Sequence, residues 1–455
     1  MSNIQVGITD HLDPEVEAMV MAMYSRSYAP IEGRIPSSEE SIEEHKKKLG
    51  KFYIGYNHKS VGQLGDTTIW IEGVSMLAAK AIENHPLYNG QESSTRYIDF
   101  SSQPMFSPNE DIVYWQEKFR AFYIKAVPLV IEKLKLEFPL IENVKYVGDP
   151  LTNKDSAVWE NTIKARAFDI CRGILPAGCT TNVAFKGTFD TINDHFGEML
   201  YHPCQEMRDI AETVLTKLKE KYPYAAMDID KLEERHTYVN NIFFYQCFDV
   251  YGESTSVKVV TDPESASFND LEFFHKRDKF SKLSRFISNF FRIRLIGLLD
   301  FGSYRDIHRH RNGYIGMEAL SIDKGFHEFY LNNLTPELTD ELTDILSEYE
   351  DWYENIVDLD TINGLTSNEL YDLQYCTPMG YRVAIDYNCD INQALYLMEL
   401  RSGKTVHQTL RELIQSWVIQ LKEIYPTLDI HADMDKDNFT LKRGNQTFDN
   451  LMYQN

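Results

Sequence analysis

Met207, Ile210, Ala211, Val214 and Leu218 fall at offsets 0, 3, 4, 7 and 11, which lays them along one face of an amphipathic helix. Leu410, Leu413, Ile414, Trp417 and Leu421 repeat those offsets 203 residues further on. Both stripes run into the same close, LKEKYP from Leu218 and LKEIYP from Leu421, and Arg208 and Arg411 occupy matching places. Upstream, Pro176-x-Gly178 matches Pro378-x-Gly380 at almost the same spacing. One shared stripe would mean little, because most surface helices carry one. Several features at one spacing predict a duplicated domain, with copies over 1–228 and 229–455. Asp13-Pro14 and Thr335-Pro336 each predict a helix start, an N-cap followed by proline at the first helical position. The stretch TTIWIEGVS, Thr67 to Ser75, alternates enough to predict a strand. Between Gln103 and Asn143 the pattern predicts a long helix interrupted at Pro128.

Composition narrows the class. Of 455 residues, 43% are hydrophobic and 25% charged, enough to bury a core. No apolar run approaches the roughly 18 residues of a membrane span, and the N-terminal stretch lacks the basic start and apolar core of a signal peptide. Six cysteines without a C-x-x-C pair fit reduced thiols in a cytoplasmic protein. A net charge of −23 opposes general nucleic-acid binding. Yet Lys276–Arg311 carries ten lysines and arginines against three aspartates, and ends in RDIHRHRNG. Phe, Ile and Leu interleave with these cations, so a local basic cleft for a small anion such as a nucleotide is expected.

Two motifs give that anion a candidate identity. The first copy holds Glu92-x-Ser94-x-Arg96, and the second holds Arg309-His310-Arg311. Together they resemble the signature of the flavin-dependent thymidylate synthases. RGILPAGCTTN (172–182) and ELRS (399–402) are similar to further segments of that family. Each copy departs from the pattern where the other keeps it. Asn84-His85-Pro86 stands where the first copy should carry R-H-R, and Met317, Ala319 and Ser321 stand where the second should carry Glu, Ser and Arg. Arg172 has only Gln374 as its counterpart, and Arg401 has Met199 or Leu200. Such complementary losses are what a composite site built from both copies would leave.

The resemblance implies an α+β fold, an antiparallel sheet with packed helices, in two tandem copies. It implies reductive methylation of deoxyuridine monophosphate (dUMP) with FAD, NADPH and 5,10-methylenetetrahydrofolate. Arg96, Arg172 and Arg401 would grip the phosphate and uracil, and Arg172 or Arg401 against a uracil carbonyl would stabilise developing charge. Ser94 would add a hydrogen bond, Glu92 would order the site, and Arg309, His310 and Arg311 would hold the flavin. A homodimer would imitate the family's tetramer, with sites expected across chains. The alternatives are a methylase or hydroxymethylase of another pyrimidine nucleotide, or a non-catalytic nucleotide-binding paralogue.

Two rival chemistries are present in outline. Pro203-Cys204-Gln205 has the look of a cysteine nucleophile, but the repeat puts His407 opposite it. His308 and His310, with His275, could ligate a metal, yet no cysteine or carboxylate cluster accompanies them. The expectation is no metal.

Overall fold

The computed structural model describes residues 11–25, 35–95, 98–140, 155–227, 255–261, 277–283, 285–288, 291–357, 367–436, 440–443 and 446–449. Its main helices in chain order are α1 (Pro14–Tyr24), α2 (Glu39–Gly50), α3 (Met76–Glu83), α4 (Glu110–Glu137), α5 (Asp155–Cys171), α6 (Phe189–Met199), α7 (Gln205–Lys221), α8 (Phe301–Ile307), α9 (Pro336–Val357), α10 (Ile391–Arg401) and α11 (Gln408–Ile424). The strands are β1 (Asp66–Ser75), β2 (Asn89–Glu92), β3 (Thr180–Thr188), β4 (Ser256–Thr261), β5 (Phe291–Asp300), β6 (Gly313–Met317) and β7 (Arg382–Asp390), followed by a short pair near 440–449.

The expected starts and the expected strand are present. Asp13 accepts from the Glu15 N–H at 2.9 Å with Pro14 at the first helical position of α1. Thr335 Oγ1 accepts from the Leu338 N–H at the start of α9. The interruption at Pro128 is absent: α4 runs through it. Proline inside a helix costs about 3 kcal/mol. The apolar face of Phe119, Phe122, Ala126, Val130 and Leu134 is buried along the whole length and offsets that cost.

The described residues fall into two compact units, the first drawn from Met1–Glu72, Ala81–Glu92 and Asn182–Phe243, the second from Gly73–Lys80, Ser93–Thr181 and Phe244–Asn455. They interleave along the chain, and the junction expected at 228–229 lies outside the described residues. In the first unit α6 and α7 cover a sheet of order β1-β3-β2. Phe185 packs edge-on to Phe196 and Phe189 to Tyr222, while Asn193 ties the Tyr53 hydroxyl to the carbonyls of Phe189 and Ala225. In the second unit α10 and α11 cover a fully antiparallel sheet of order β4-β5-β7-β6. Trp417 of α11 is wholly buried and donates to the Ile296 carbonyl. Thus β3-α6-α7 and β7-α10-α11 repeat one another, as the twin helical stripes predicted.

The repeated Pro-x-Gly segments lie against each other inside the second unit, with Pro176 bridged antiparallel to Pro378. Ala177 N donates to Thr377 O and Met379 N to Leu175 O; Gly178 N donates to Tyr375 O and Gly380 N to Gly173 O. Each pair of bonds interchanges when 202 is added to one set of numbers and subtracted from the other, so this contact is locally two-fold. Glycine is required there. A Cβ at Gly178 would lie 2.6 Å from the Tyr375 carbonyl oxygen and 2.7 Å from that of Phe106, backbone atoms that cannot swing aside. Gly178→Ala is therefore expected to lower stability by about 1–3 kcal/mol, read as a lower denaturant midpoint. An unchanged midpoint would contradict this packing.

Candidate functional site

Asp300 caps α8 by accepting from the Ser303 N–H at 2.9 Å, and the chain leaves α8 through a turn into β6. Arg309-His310-Arg311 is that turn. His310 points inward and is 8% exposed, Arg309 is half-buried, and Arg311 faces solvent. The His310 carbonyl accepts from the Tyr387 hydroxyl at 2.8 Å. Its Nε2 accepts from Arg401 Nε at 2.9 Å across 91 residues, because Arg401 ends α10 beside the turn. Burial first, then the Arg401 and Arg309 charges, pushes the His310 pKa down to about 3. The ring is thus neutral, and with Nε2 accepting its hydrogen sits on Nδ1, which requires the Gln393 amide 3.4 Å away to turn its oxygen toward the ring.

The first-copy motif is divided. Glu92 is the last residue of β2, opposite Val183 and partly exposed. Ser94 follows in the loop, and Arg96 lies outside the described residues. The loop meets α8 through a residue the motif comparison passed over. Arg305, 6% exposed, donates from Nη1 to Thr95 Oγ1 at 3.3 Å and from Nη2 to the Ser93 carbonyl at 3.4 Å. Residues 93–95 and the helix leading into R-H-R thus meet within this chain. The visible signal was Arg305 itself, one of the clustered cations.

Arg172 is 2% exposed, on the turn that follows α5. Its Nη2 donates to Ser303 Oγ at 2.6 Å, and its Nη1 lies 3.6 Å from Asp306 Oδ2. The other oxygen of Asp306 lies 3.7 Å from Arg309 Nη2, so one carboxylate stands between the two arginines. Ser303 Oγ also sits 3.1 Å from His407 Nδ1 and 2.7 Å from Thr409 Oγ1. His407 Nε2 lies 3.1 Å from the Asp169 carbonyl, which can only accept, so Nε2 carries a hydrogen. Burial opposes ionisation of Asp300, yet the positive charges of His407 and Arg172 outweigh it and hold its pKa below the ordinary carboxylate value. Its Oδ2 accepts from the Tyr330 hydroxyl at 2.7 Å. Arg172 thus contacts an interior network, while Arg401 and Arg309 stand at the turn.

Other expectations resolve locally. Much of the basic segment is paired: Arg277 with buried Glu399, and Arg294 with Asp386. Cys204 is 1% exposed at the N-cap of α7, matching His407 at the N-cap of α11. His308 packs on the Tyr304 ring while His310 faces Arg401, and His275 lies outside the described residues. Among the described residues no group of three or more His, Cys, Asp or Glu could hold a metal ion, and no helix is long and apolar enough to cross a membrane.

Residues 8–224 match the model of the thymidylate synthase complementing protein family. Relatives extend the likeness along the chain. A UPF0159 protein of Chlamydia pneumoniae is 23% identical over 476 residues, spanning 91% of this chain and 86% of its own length. One of Thermoplasma acidophilum is 21% identical over 481 residues, 90% of this chain and 93% of that protein. A UPF0159 protein of Chlamydia muridarum is 29% identical over 184 residues, 37% of this chain and 32% of its own.

The neutral His310 gives a pH prediction. An unfolded histidine titrates near 6.5, so a folded value near 3 contributes stability that is present above pH 6.5 and is lost as pH falls through that window. His195 and His202, driven to about 3 chiefly by burial, act in the same sense. The denaturant midpoint should fall between pH 7 and 5. His310→Gln, which keeps an acceptor for Arg401, should remove up to one proton's share of the slope, about 1.4 kcal/mol per pH unit. An unaltered slope would mean that His310 is not held neutral.

Proposed function

We propose that this chain is a flavin-dependent thymidylate synthase that methylates dUMP to dTMP with FAD, NADPH and 5,10-methylenetetrahydrofolate. Its site is composite: the loop after Glu92 in the first copy, with Ser94 and Arg96, and the Arg309–Arg311 turn with Arg401 in the second. The observation that carries this reading is the Arg401–His310 bond at 2.9 Å, which sets two family-like motifs side by side.

The donor set fits the groups the reading requires. Arg309 and Arg311 offer planar guanidinium forks suited to phosphate oxygens, and both reach solvent, as a pyrophosphate site needs. His310 stays neutral and only accepts from Arg401, so it fixes the orientation of that guanidinium without adding a competing charge. A bound flavin would supply the reducing equivalents for the new methyl group. Arg96 would take the nucleotide phosphate, Ser94 would donate to the nucleotide, and Glu92 would order the loop. Arg401 would face a uracil carbonyl, where a fixed cation stabilises developing negative charge. Arg172, engaged by Ser303 and Asp306, is a positioning residue for the turn. A homodimer would hold two such sites, and the contacts of Arg305 with the loop favour sites within one chain.

Fresh protein should show flavin absorption bands, lost in Arg309→Ala. Colourless wild-type protein that FAD cannot reconstitute would leave the non-catalytic nucleotide-binding reading. Arg96→Ala should weaken dUMP binding about ten- to a hundredfold, the loss of a charged hydrogen bond, while flavin content survives. Calorimetry showing another pyrimidine nucleotide bound instead of dUMP would move the substrate assignment. Mixed dimers of Arg96→Ala and Arg309→Ala chains should remain inactive, since every site carries one lesion. Restored activity would require sites shared between chains.

A further inference from the structure

The two sheets differ at one edge. β3-α6-α7 corresponds to β7-α10-α11, so β1 corresponds to β5, and Tyr222 to Tyr425 at the ends of the matching helices. The contacts agree: Thr67 Oγ1 lies 3.3 Å from the Tyr222 hydroxyl, and the Phe291 ring lies 5.8 Å from the Tyr425 ring. In the second copy β4 covers the outer edge of β5, pairing antiparallel from Thr261↔Phe291 to Ser256↔Ile296. In the first copy β1 is itself the outermost strand, and among the described residues no strand pairs with its outer edge. In the corresponding place is a groove of about 330 Å³ between Thr67–Trp70 of β1 and Lys217 and Lys221 of α7. Trp70 is 76% exposed on its rim.

The residues of the helix also say what the groove has become. In the second copy Gln420 holds β4 by its backbone, accepting from Val257 N at 2.9 Å and donating to Thr255 O at 3.4 Å. Lys217 takes the place of Gln420 and Lys221 that of Ile424. An amide that accepts and donates is replaced by an ammonium that only donates, and an apolar neighbour by a second ammonium. Among the described residues neither lysine has an ion-pair partner, in a chain of net charge −23.

We propose that the outer edge of β1 receives an extended peptide of a partner protein, antiparallel to β1 and bearing carboxylates for Lys217 and Lys221. Backbone pairing along Thr67–Trp70 supplies the affinity common to strand addition, and the two ammoniums select acidic residues. A second copy of this chain fits poorly, since pairing β1 with itself would bring two pairs of ammoniums onto one face.

The test uses the full chain and a labelled heptapeptide with the sequence of residues 255–261 carrying Val257→Glu, beside the same peptide carrying Val257→Lys, because Val257 is the β4 residue that faces the covering helix. Fluorescence anisotropy should show the glutamate peptide binding about tenfold more tightly, the worth of one or two exposed ion pairs. Lys217→Glu with Lys221→Glu, both on an exposed helix face, should invert that preference while circular dichroism is unchanged. Binding should shift Trp70 emission to the blue, a change absent in Trp70→Phe. No saturable binding, or a preference untouched by the charge reversal, would overturn the proposal. So would a Trp70 already shielded from iodide in the peptide-free protein: at every concentration if the chain's own segment fills the groove, or increasingly with dimerisation if a second copy does.

Discussion

Four backbone hydrogen bonds, exchanged between residues 173–178 and 375–380, tie the two repeats to each other. Everything at the candidate site is positioned from that contact. Met379 and Tyr381, on its second strand, accept from Gly302 N and Phe301 N and so fix the first turn of α8. Arg172, at the start of its first strand, reaches the Ser303 hydroxyl on that same turn. With α8 fixed at its head, its tail delivers Arg305 to the 93–95 loop and the Arg309–Arg311 turn to Arg401. The glycines at 178 and 380 are the steric condition for this, since the facing backbones approach too closely for a side chain.

Corresponding positions of the two repeats differ in physically distinct ways. The helix N-cap is Cys204 in one copy and His407 in the other, where it hydrogen-bonds Ser303 and Asp169 in the interior. Where the second copy closes its sheet with β4, the first presents Trp70 and two lysines to solvent. The buried polar network around Asp300 belongs to the second unit: Asp300 Oδ2 accepts from the Ser303 N–H and the Tyr330 hydroxyl, while its Oδ1 is buried without a hydrogen-bond partner among the described residues. Its cost in desolvation is met by the cations beside it, as the lowered Asp300 pKa records.

Much of this was legible in the chain because it depends on local periodicity. The matching stripes of α7 and α11 and the strand at 66–75 follow from side-chain spacing alone. The continuous α4 did not, because a proline's local penalty is overridden by burial that only the folded partners supply. The role of Arg172 was hidden for the same reason: its hydroxyl partner Ser303 is 131 residues away. So was the neutrality of His310, which follows from burial beside an arginine 91 residues on. Folded, R-H-R is two arginines flanking an acceptor. Family likeness named which residues to watch, and the tertiary contacts decide which of them share a surface.

The central claim is that the loop after Glu92 and the Arg309–Arg311 turn form one nucleotide site in one chain, coupled through Arg305. Hydrogen exchange read by mass spectrometry addresses it directly, with dUMP added to flavin-loaded protein. The account predicts that dUMP slows exchange in the peptides covering 93–95 and 309–311 together, and that Arg305→Met uncouples the two. Protection of only one of these segments, or of neither while dUMP is bound, would contradict it.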